Sequence, residues 1–326
     1  MIRLIMSNRP VVWITRTLSD NTLSRARRDY EVIVDPADLP ASADTIIEMS
    51  QKVDAIIPCH SEIFSADVVA QLDDRVRIIA NHSVGVDHCD LEALKTKNIV
   101  VTNTPDVLSD ATAEIAFLLL LGAARKAIEG DTLVRSGQWE NWSPSFMVGQ
   151  QVSGKRLGIV GMGKVGQVMA KRGRGFDMEV HYHNRRQLSP EEEQGAIFHE
   201  SLSGLLPNCD YISLHCPATE QTKRLINSET LAQLPKGAIL VNTARGALVD
   251  EAALLDAIES GHLSAAGLDC FEVEPGGNPA LAKHQNIFTL PHIGSATFDT
   301  RDAMGFRALD NLDAFFSGKA PRDRLV

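Results

Sequence analysis

Short apolar runs alternate with amphipathic stretches over the first third of the chain. Four such runs, at residues 11–14, 55–57, 77–80 and 99–101, are separated by segments with helical periodicity. Continuous apolar runs of this length are typical of parallel strands that are buried on both faces. The pattern therefore predicts that the chain begins with an α/β unit built on a parallel sheet.

A long helical segment interrupts this alternation after Thr104. It runs over residues 109–137, with Asp110 and Glu114 near its start, where acidic groups interact favourably with the helix dipole. A second alternation then predicts six more strands, at residues 157–160, 179–182, 211–214, 239–241, 265–268 and 287–290. Six strands of this kind predict a doubly wound sheet.

The last helical pattern, at residues 295–317, is too short to form a domain. We therefore expect this segment to pack back onto the first unit. A chain of 326 residues suits two domains, each with its own core. The expected domains are residues 1–104 together with 295–326, and an inserted domain of residues 105–294.

Composition limits the partners and the compartment. The chain has 32 basic and 42 acidic residues, and its net charge of −10 argues against a nucleic acid or an anionic membrane as partner. The longest apolar run, residues 115–124, is about half the length of a membrane-spanning helix. The five cysteines lack CxxC spacing, so we expect no disulfide framework, no zinc site and a cytoplasmic location. Residues 1–10 lack an apolar core, which predicts a short leader rather than a signal peptide.

A glycine-rich turn directly follows the strand predicted at residues 157–160. Its sequence, Gly161-Met162-Gly163-Lys164-Val165-Gly166, has G-x-G-x-x-G spacing and opens a helical segment. The first glycine permits a tight turn, the second lets the backbone approach a pyrophosphate, and the third allows close helix packing. Ordinary glycine-rich turns also show this spacing, but a strand before it and a helix after it favour a dinucleotide site at these six residues.

The end of the next predicted strand bears on the choice of dinucleotide. A site for NAD normally has Asp or Glu here, which accepts hydrogen bonds from the ribose hydroxyls. This chain has Asn184, Arg185 and Arg186 instead, and guanidinium groups suit a 2′-phosphate that an acid would repel. The sequence therefore favours NADP(H). NAD(H), with the two arginines as plain surface charges, stays open as the alternative.

Three titratable or charged residues follow predicted strands of the second unit: Arg245, Glu274 and His292. Ligands bind at the carboxyl ends of strands in open α/β sheets. Reduction of a 2-oxo acid needs a cation for the carboxylate and carbonyl, an acid that protonates the oxygen, and a partner for that acid. Arginine, histidine and glutamate can fill these roles, since a carboxylate beside an imidazole favours the protonated ring.

The chain resembles the D-isomer-specific 2-hydroxyacid dehydrogenase family over essentially its whole length. Residues 234–238 (LPKGA) running into residues 241–246 (VNTARG) are similar to the family's long signature, which is more specific than the glycine turn. The resemblance implies an α/β fold of two domains, in which a doubly wound Rossmann-type cofactor domain is inserted into a smaller flavodoxin-like substrate domain. It also implies that Arg245 orients the substrate, that His292 donates the proton in reduction, and that Glu274 hydrogen-bonds His292.

The same resemblance implies further contacts. The loop of residues 83–87 would bind the substrate through Ser83 and the N–H groups of Val84 and Gly85, where glycine allows close approach. The further cofactor contacts that it implies, besides Arg245 and His292, are Leu108, Thr112, Cys216, Pro217, Thr243, Ala244, Asp269 and Gly294. For Cys216, a role as a small buried filler is an equally good interpretation.

Residues 103–114 and 137–142 resemble the glyoxylate and hydroxypyruvate reductase branch of the family. This implies an NAD(P)-dependent enzyme that acts on a small 2-oxo or 2-hydroxy acid. It also implies a homodimer in which Trp139 reaches the neighbouring subunit's active site and favours small polar substrates. An aromatic side chain packed only in the dimer interface is the alternative role for Trp139.

Other activities stay open within the same resemblance. A 2-ketogluconate reductase and a short phosphoglycerate dehydrogenase are the enzymatic alternatives, whereas formate dehydrogenase resembles a pattern with glutamine where Glu274 stands. Some relatives are dinucleotide-sensing corepressors that keep the same three residues, and turnover of 2-oxo acids distinguishes them. No metal site is expected, because His181, His183 and His215 lack metal-ligand spacing. A G-x-S-x-G motif is absent, which leaves hydrolases without support.

Overall fold

The computed structural model describes residues 9–326, so all but the last two positions of the leader expected at residues 1–10 lie outside the described residues. The chain divides into two compact units. Unit 1 comprises the described residues up to Val107 together with Ala296–Val326, and unit 2 is Leu108–Ser295. None of the helices within residues 9–326 combines the length and the apolar character that crossing a bilayer requires.

Unit 1 is built on a five-stranded parallel sheet in the order β2-β1-β3-β4-β5, which is the flavodoxin-like order. The strands are β1 (Val11–Ile14), β2 (Glu31–Val34), β3 (Ala55–Ile57), β4 (Ile78–Ala80) and β5 (Val100–Thr102). The helices are α1 (Asp20–Asp29), α2 (Ala43–Ser50), α3 (Ala66–Gln71), α4 (Leu91–Thr96) and α13 (Phe298–Phe316). Helix α13 contacts α1 and β4, and it buries Ala308, Leu309 and Leu312 in the core of this unit.

Unit 2 is built on a seven-stranded parallel sheet in the order β12-β11-β10-β9-β6-β7-β8. Its strands are β6 (Arg156–Val160), β7 (Glu179–His183), β8 (Ile197–His199), β9 (Tyr211–Leu214), β10 (Ala238–Asn242), β11 (Leu263–Leu268) and β12 (Ile287–Thr289). Counted from β6 as the first strand, the order reverses between β6 and β9, as it does in a Rossmann-type sheet. Both sheets are parallel, as the buried apolar runs predict.

Eight helices of unit 2 connect and cover these strands. They are α5 (Ser109–Ala124), α6 (Ala127–Arg135), α7 (Lys164–Arg174), α8 (Pro190–Glu193), α9 (Leu202–Leu205), α10 (Ser228–Leu231), α11 (Glu251–Glu259) and α12 (Pro279–Lys283). Helix α5 packs against β10, β11 and β12, and most of its residues are buried.

Three details differ from the sequence-based expectations. The prediction of six strands in unit 2 was wrong, because β8 at the sheet edge is a seventh, and β2 at the edge of the other sheet was missed as well. Strand β8 has only two apolar residues, whereas β2 contains the apolar run of residues 32–34 and could have been predicted from it. The single helix predicted at residues 109–137 is two helices. The chain turns at Lys126, whose φ is 55°, because the Ala124 carbonyl accepts the Gln150 N–H instead of continuing the helical ladder.

Candidate active site

The glycine turn lies between β6 and α7, and packing explains two of its three glycines. Gly161 has a φ of 91°, and a Cβ there would lie 2.5 Å from the Cys216 backbone nitrogen. At Gly166 a Cβ would lie 2.4 Å from the Gly161 carbonyl oxygen. At Gly163 a Cβ would meet nothing within 4 Å, and no side chain caps the helix that begins after it. The start of α7 therefore offers open space and backbone donors, as a phosphate requires.

The end of β7 holds the glycine turn in place. The Met162 N–H donates to Asn184 Oδ1 at 2.7 Å, and the Gly161 N–H donates to the His183 carbonyl at 3.0 Å. Arg185 and Arg186 follow on the surface, and neither guanidinium has a hydrogen-bond or ion-pair partner in the described part of the chain. The two arginines are therefore available to a ligand, whereas Asn184 Oδ1 is engaged by the turn.

Three neighbouring strands deliver the predicted catalytic residues to one edge of the sheet. Strands β10, β11 and β12 pair in parallel, so their carboxyl ends lie side by side. Arg245 comes three residues after β10, Asp269 directly after β11, and His292 three residues after β12. This is the edge at which open α/β sheets bind their ligands.

His292 and Glu274 form the central pair of this edge. Glu274 Oε2 lies 2.5 Å from His292 Nδ1, and Glu274 Oε1 accepts the Phe271 N–H at 2.8 Å. The side chains of His292 and Glu274 are 28% and 22% exposed. The carboxylate thus orients the ring through Nδ1, with Nε2 at the opposite edge of the imidazole. His292 has a φ of 53°, a strained left-handed conformation of the kind that clusters at functional sites.

The backbone around His292 is held by Asp269, a buried carboxylate. Its two oxygens accept the N–H groups of Ile293 and Gly294, each at 2.8 Å. Burial raises the pKa of Asp269, although these hydrogen bonds and the His292 charge act in the opposite direction. A Cβ on Gly294 would lie 3.4 Å from Thr112 Cγ2, so Thr112 is next to the same turn. The family resemblance gives Asp269 as a cofactor contact and misses this anchoring of the histidine loop.

The loop that carries Arg245 is shaped by Asn242, the buried last residue of β10. Asn242 Oδ1 accepts the Ala244 N–H at 3.0 Å, and Asn242 Nδ2 donates to the Arg245 carbonyl at 2.8 Å. Gly246 leaves no room for a side chain, because a Cβ there would lie 1.9 Å from the Phe271 carbonyl carbon. The arginine loop therefore packs directly on the segment that leads to Glu274. Sequence reasoning missed Asn242, although it stands inside the family signature.

Thr243 and Cys216, which follow strands β10 and β9, differ in what they can contact. The Thr243 hydroxyl is buried and has no hydrogen-bond partner among residues 9–326, which suits a group supplied by a ligand. Burial raises the pKa of the Cys216 thiol to about 11, so the thiol is neutral at physiological pH. Cys216 packs, partly buried, against the apolar core of unit 2, which supports the interpretation of Cys216 as a small filler. Pro217, the next residue, is exposed.

The loop of residues 83–87 in unit 1 lies after β4 and is well braced. Ser83 Oγ donates to the Gly85 carbonyl at 2.7 Å, and Asn103 Nδ2 donates to the Val84 carbonyl at 2.8 Å. His88 Nε2 lies 2.8 Å from Asn81 Oδ1. Burial and the Arg301 charge lower the pKa of His82 to about 4, so this ring is neutral. His82 and His88 thus flank the loop as neutral or hydrogen-bonded rings that hold the segments on either side of it.

The remaining predicted residues lie near the helices at the start of unit 2. Leu108 immediately precedes α5 and is half-buried. Trp139 follows α6 and is 56% exposed, and Trp142 is 72% exposed. Lys164 and Val165 form the first turn of α7, with the lysine exposed and the valine half-buried.

These features together fit a bound dinucleotide. The open start of α7 can receive the pyrophosphate, the partnerless Thr243 hydroxyl lies in the loop after β10, and two partnerless guanidinium groups follow β7, all within the described residues. The edge formed by β10, β11 and β12 adds a paired imidazole and carboxylate and an arginine. The arrangement can hold a nucleotide and move a proton at one oxygen of a small acid.

Comparison with other proteins agrees with this site. The profile described as "D-isomer specific 2-hydroxyacid dehydrogenase, NAD binding domain" matches residues 117–294. The glycerate dehydrogenase of Hyphomicrobium methylovorum is 41% identical over 315 residues, which are 96% of this chain and 98% of that protein. The glyoxylate reductase of Thermococcus kodakarensis is 42% identical over 318 residues, 96% of this chain and 95% of that protein.

A solved structure shows the same architecture. The NADPH-dependent glyoxylate/hydroxypyruvate reductase of Sinorhizobium meliloti, in complex with NADP and malonate, is 30% identical and superposes with a TM-score of 0.86. The match covers 98% of this chain and 97% of that one. The predicted fold class and the predicted resemblance are confirmed. The chain belongs to the D-isomer specific 2-hydroxyacid dehydrogenase family, whose members are NAD(P)-dependent oxidoreductases.

Proposed function

We propose that this protein reduces a small 2-oxo acid, with glyoxylate and hydroxypyruvate as the first substrates to test, to the 2-hydroxy acid. The observation that carries the proposal is the 2.5 Å contact between Glu274 and His292 at the strand edge that also presents Arg245. Relatives named glyoxylate reductase and glycerate dehydrogenase, about 40% identical over nearly the whole chain, support this substrate class.

The residues of unit 2 have distinct roles in the proposed reaction. The dinucleotide, when bound, supplies the hydride. Arg245 holds the substrate carboxylate and polarises the carbonyl, because a guanidinium fork matches a carboxylate. His292 gives a proton to the carbonyl oxygen from Nε2, since Nδ1 is engaged by Glu274. Glu274 stabilises the charged imidazolium, and Asp269 holds the loop on which the ring stands.

The substrate loop of unit 1 belongs to the same proposal. Ser83, Val84 and Gly85 are proposed to bind the substrate. The Thr104 N–H donates to the Ser83 carbonyl and Asn103 Nδ2 donates to the Val84 carbonyl, and these contacts hold the loop after β4 so that its own N–H groups can face a ligand. A cytoplasmic location is also part of the proposal, because all five cysteines are free thiols.

Turnover of a panel of 2-oxo acids tests the proposal and its non-enzymatic alternative. Oxidation of NADPH or NADH should accompany reduction of glyoxylate and hydroxypyruvate, and 2-ketogluconate and phosphohydroxypyruvate should be included for the enzymatic alternatives. Tight dinucleotide binding without turnover of any acid in the panel would instead identify a dinucleotide-sensing protein.

The finer proposal is that NADPH is preferred over NADH. Arg185 and Arg186 are exposed, consecutive and without protein partners among residues 9–326, and no acid stands at the end of β7. The Sinorhizobium meliloti relative is named as NADPH-dependent. The two guanidinium groups would bind the 2′-phosphate through charge-assisted hydrogen bonds.

The double variant R185A/R186A is expected to lose this preference. Since hydrogen bonds to charged groups contribute about 1.5–3 kcal/mol each, KM for NADPH should rise at least about tenfold while KM for NADH stays within about twofold. Steady-state kinetics with both dinucleotides measures the effect. The matched control is R27A/R28A, which removes two consecutive exposed arginines from unit 1. An NADPH preference that survives in R185A/R186A contradicts the assignment.

A homodimer is also part of the proposal. Unit 2 exposes several large apolar side chains between residues 128 and 148: Ile128, Val134, Trp139, Trp142 and Val148. Scattered apolar residues are normal on a surface, but a run of this density is typical of an interface. In the dimer, Trp139 would contact the substrate site of the neighbouring subunit.

Replacing Trp139 by alanine is therefore expected to change substrate preference. The ratio of kcat/KM for hydroxypyruvate to that for glyoxylate should shift by about fivefold, because an aromatic contact contributes about 1 kcal/mol. Light scattering should show wild type and variant as dimers, and W142A provides the comparison at a second exposed tryptophan. An unchanged ratio in W139A would remove Trp139 from the substrate site.

A further inference from the structure

The loop that carries Arg185 and Arg186 is fastened at both ends by side chains. At its start, Asn184 Oδ1 accepts the Met162 N–H at 2.7 Å. At its end, the Leu188 N–H donates to Tyr182 Oη at 3.0 Å. No backbone hydrogen bond links two positions of residues 184–188 in the described part of the chain. The loop therefore depends on side-chain contacts for its shape.

The Tyr182 hydroxyl is the junction of the second contact. Tyr182 is a fully buried residue of β7, and its hydroxyl donates to Glu193 Oε1 at 2.5 Å while it accepts the Leu188 N–H. The same Glu193 oxygen accepts a hydrogen bond from Gln187 Nε2 at 2.9 Å. Burial, followed by the hydrogen bond to Glu193, raises the pKa of Tyr182 to about 12, so the hydroxyl keeps its proton at physiological pH. Two consecutive loop residues, Gln187 and Leu188, are thereby tied to one buried tyrosine and one carboxylate.

The side chains of Arg185 and Arg186 add no hydrogen bond or ion pair to those that hold the loop within residues 9–326. Both arginines are exposed. The direction in which their side chains leave the surface is set by the backbone between Asn184 and Leu188. A binding loop that is already ordered loses less conformational entropy when the ligand arrives.

We propose that Tyr182 is a positioning residue for dinucleotide choice: its hydroxyl, together with Glu193, holds the loop so that Arg185 and Arg186 are presented to a 2′-phosphate. This inference rests on the proposed preference for NADPH. It adds that the preference depends on the order of the loop, which Tyr182 maintains. Tyr182 touches neither the dinucleotide nor the substrate in this scheme.

The test is Tyr182→Phe, which removes one oxygen from a buried ring, and the matched control is Tyr211→Phe. Tyr211 is buried in β9 of the same sheet, and its hydroxyl donates to the Gln151 carbonyl at 2.9 Å, away from the loop. The probes are adenosine 2′,5′-bisphosphate, which carries the 2′-phosphate, and ADP, which lacks it. Calorimetry measures their affinities, and hydrogen exchange reports the order of the loop amides.

Y182F should weaken binding of adenosine 2′,5′-bisphosphate about fivefold and that of ADP less than about twofold, as expected for loss of hydrogen bonds that order one loop. The Leu188 amide should exchange faster in Y182F, and Y211F should change neither readout. Glu193→Ala, at a partly exposed position, should act in the same direction as Y182F and keeps the test open if Y182F fails to fold.

The possible results distinguish the role of Tyr182 from the NADPH preference on which that role rests. If R185A/R186A weakens binding of the bisphosphate while Y182F and E193A bind it like wild type, the role of Tyr182 is overturned and the NADPH assignment stands. If R185A/R186A binds the bisphosphate like wild type, both fall together. An equal loss for the bisphosphate and ADP in Y182F would show general damage to unit 2 and would also overturn the role.

Discussion

Replacing His292 by asparagine is expected to lower kcat for glyoxylate reduction by about a thousandfold, because a positioned general acid contributes about 10²- to 10⁴-fold to a rate. Asparagine is chosen because it tolerates the left-handed backbone that His292 adopts, with a φ of 53°. The dinucleotide affinity should change far less than kcat, since the glycine turn is unchanged and only the implied contact of His292 with the cofactor is lost. Stopped-flow measurement of NADPH oxidation, together with dinucleotide titration, checks both statements.

Two further variants are needed to interpret the loss of activity in H292N. Glu274→Gln should lower kcat by about a hundredfold, less than the loss in H292N, because the ring keeps a neighbour at Nδ1 but the imidazolium loses its compensating charge. His284→Asn is the control, since His284 is also in unit 2 and its Nδ1 accepts the Asn286 N–H in the following turn. A H292N variant that retains a tenth or more of wild-type kcat would show that the proton comes from another group.

The sequence predicts the parts of this molecule whose structure is decided locally. Fully buried strands such as β3 and β10 read as continuous apolar runs because both of their faces are covered. The glycine turn is predictable for a similar reason, since its spacing, the strand before it and the helix after it all lie within one short stretch. Arg245 and His292 follow such strands, so the pattern of apolar runs is enough to place both residues at one sheet edge.

The parts that the sequence does not predict depend on contacts between distant segments. Strand β8 lies at a sheet edge and has only two apolar residues, so its pattern is not an apolar run. The role of Asp269 follows from which backbone N–H groups folding brings against its side chain. Asp269 is more than twenty residues away from the N–H groups whose hydrogen bonds it accepts, and no local sequence pattern links them. Asn242 is the exception, because its partners Ala244 and Arg245 are local and an Asn side chain commonly bonds the backbone two residues on.

Loss of the Arg245 guanidinium is expected to be as severe as loss of the His292 ring, but to act on a different step. R245A should lower kcat/KM for glyoxylate by about a thousandfold, because the substrate loses both the partner of its carboxylate and the charge that polarises its carbonyl. R245K should recover at most about a tenth of the wild-type value, since an ammonium cannot make the paired contacts of a guanidinium fork. Arg224→Lys, at an exposed arginine of the same unit that pairs with Asp250 and Glu272, is the control and should be nearly neutral.

A substrate without a carboxylate distinguishes carboxylate binding by Arg245 from proton transfer by His292. Glycolaldehyde presents a carbonyl but no acid group, so the difference in kcat/KM between wild type and R245A should shrink strongly with this substrate, while H292N should stay as impaired as it is with glyoxylate. We expect R245A to fold, because Asn242 holds the loop through the Arg245 carbonyl, although the variant loses the hydrogen bond from Arg245 Nη1 to the Ala244 carbonyl. If R245A were equally impaired with glycolaldehyde and glyoxylate, Arg245 would act on the carbonyl or order the loop, and its role in binding the acid group would be overturned.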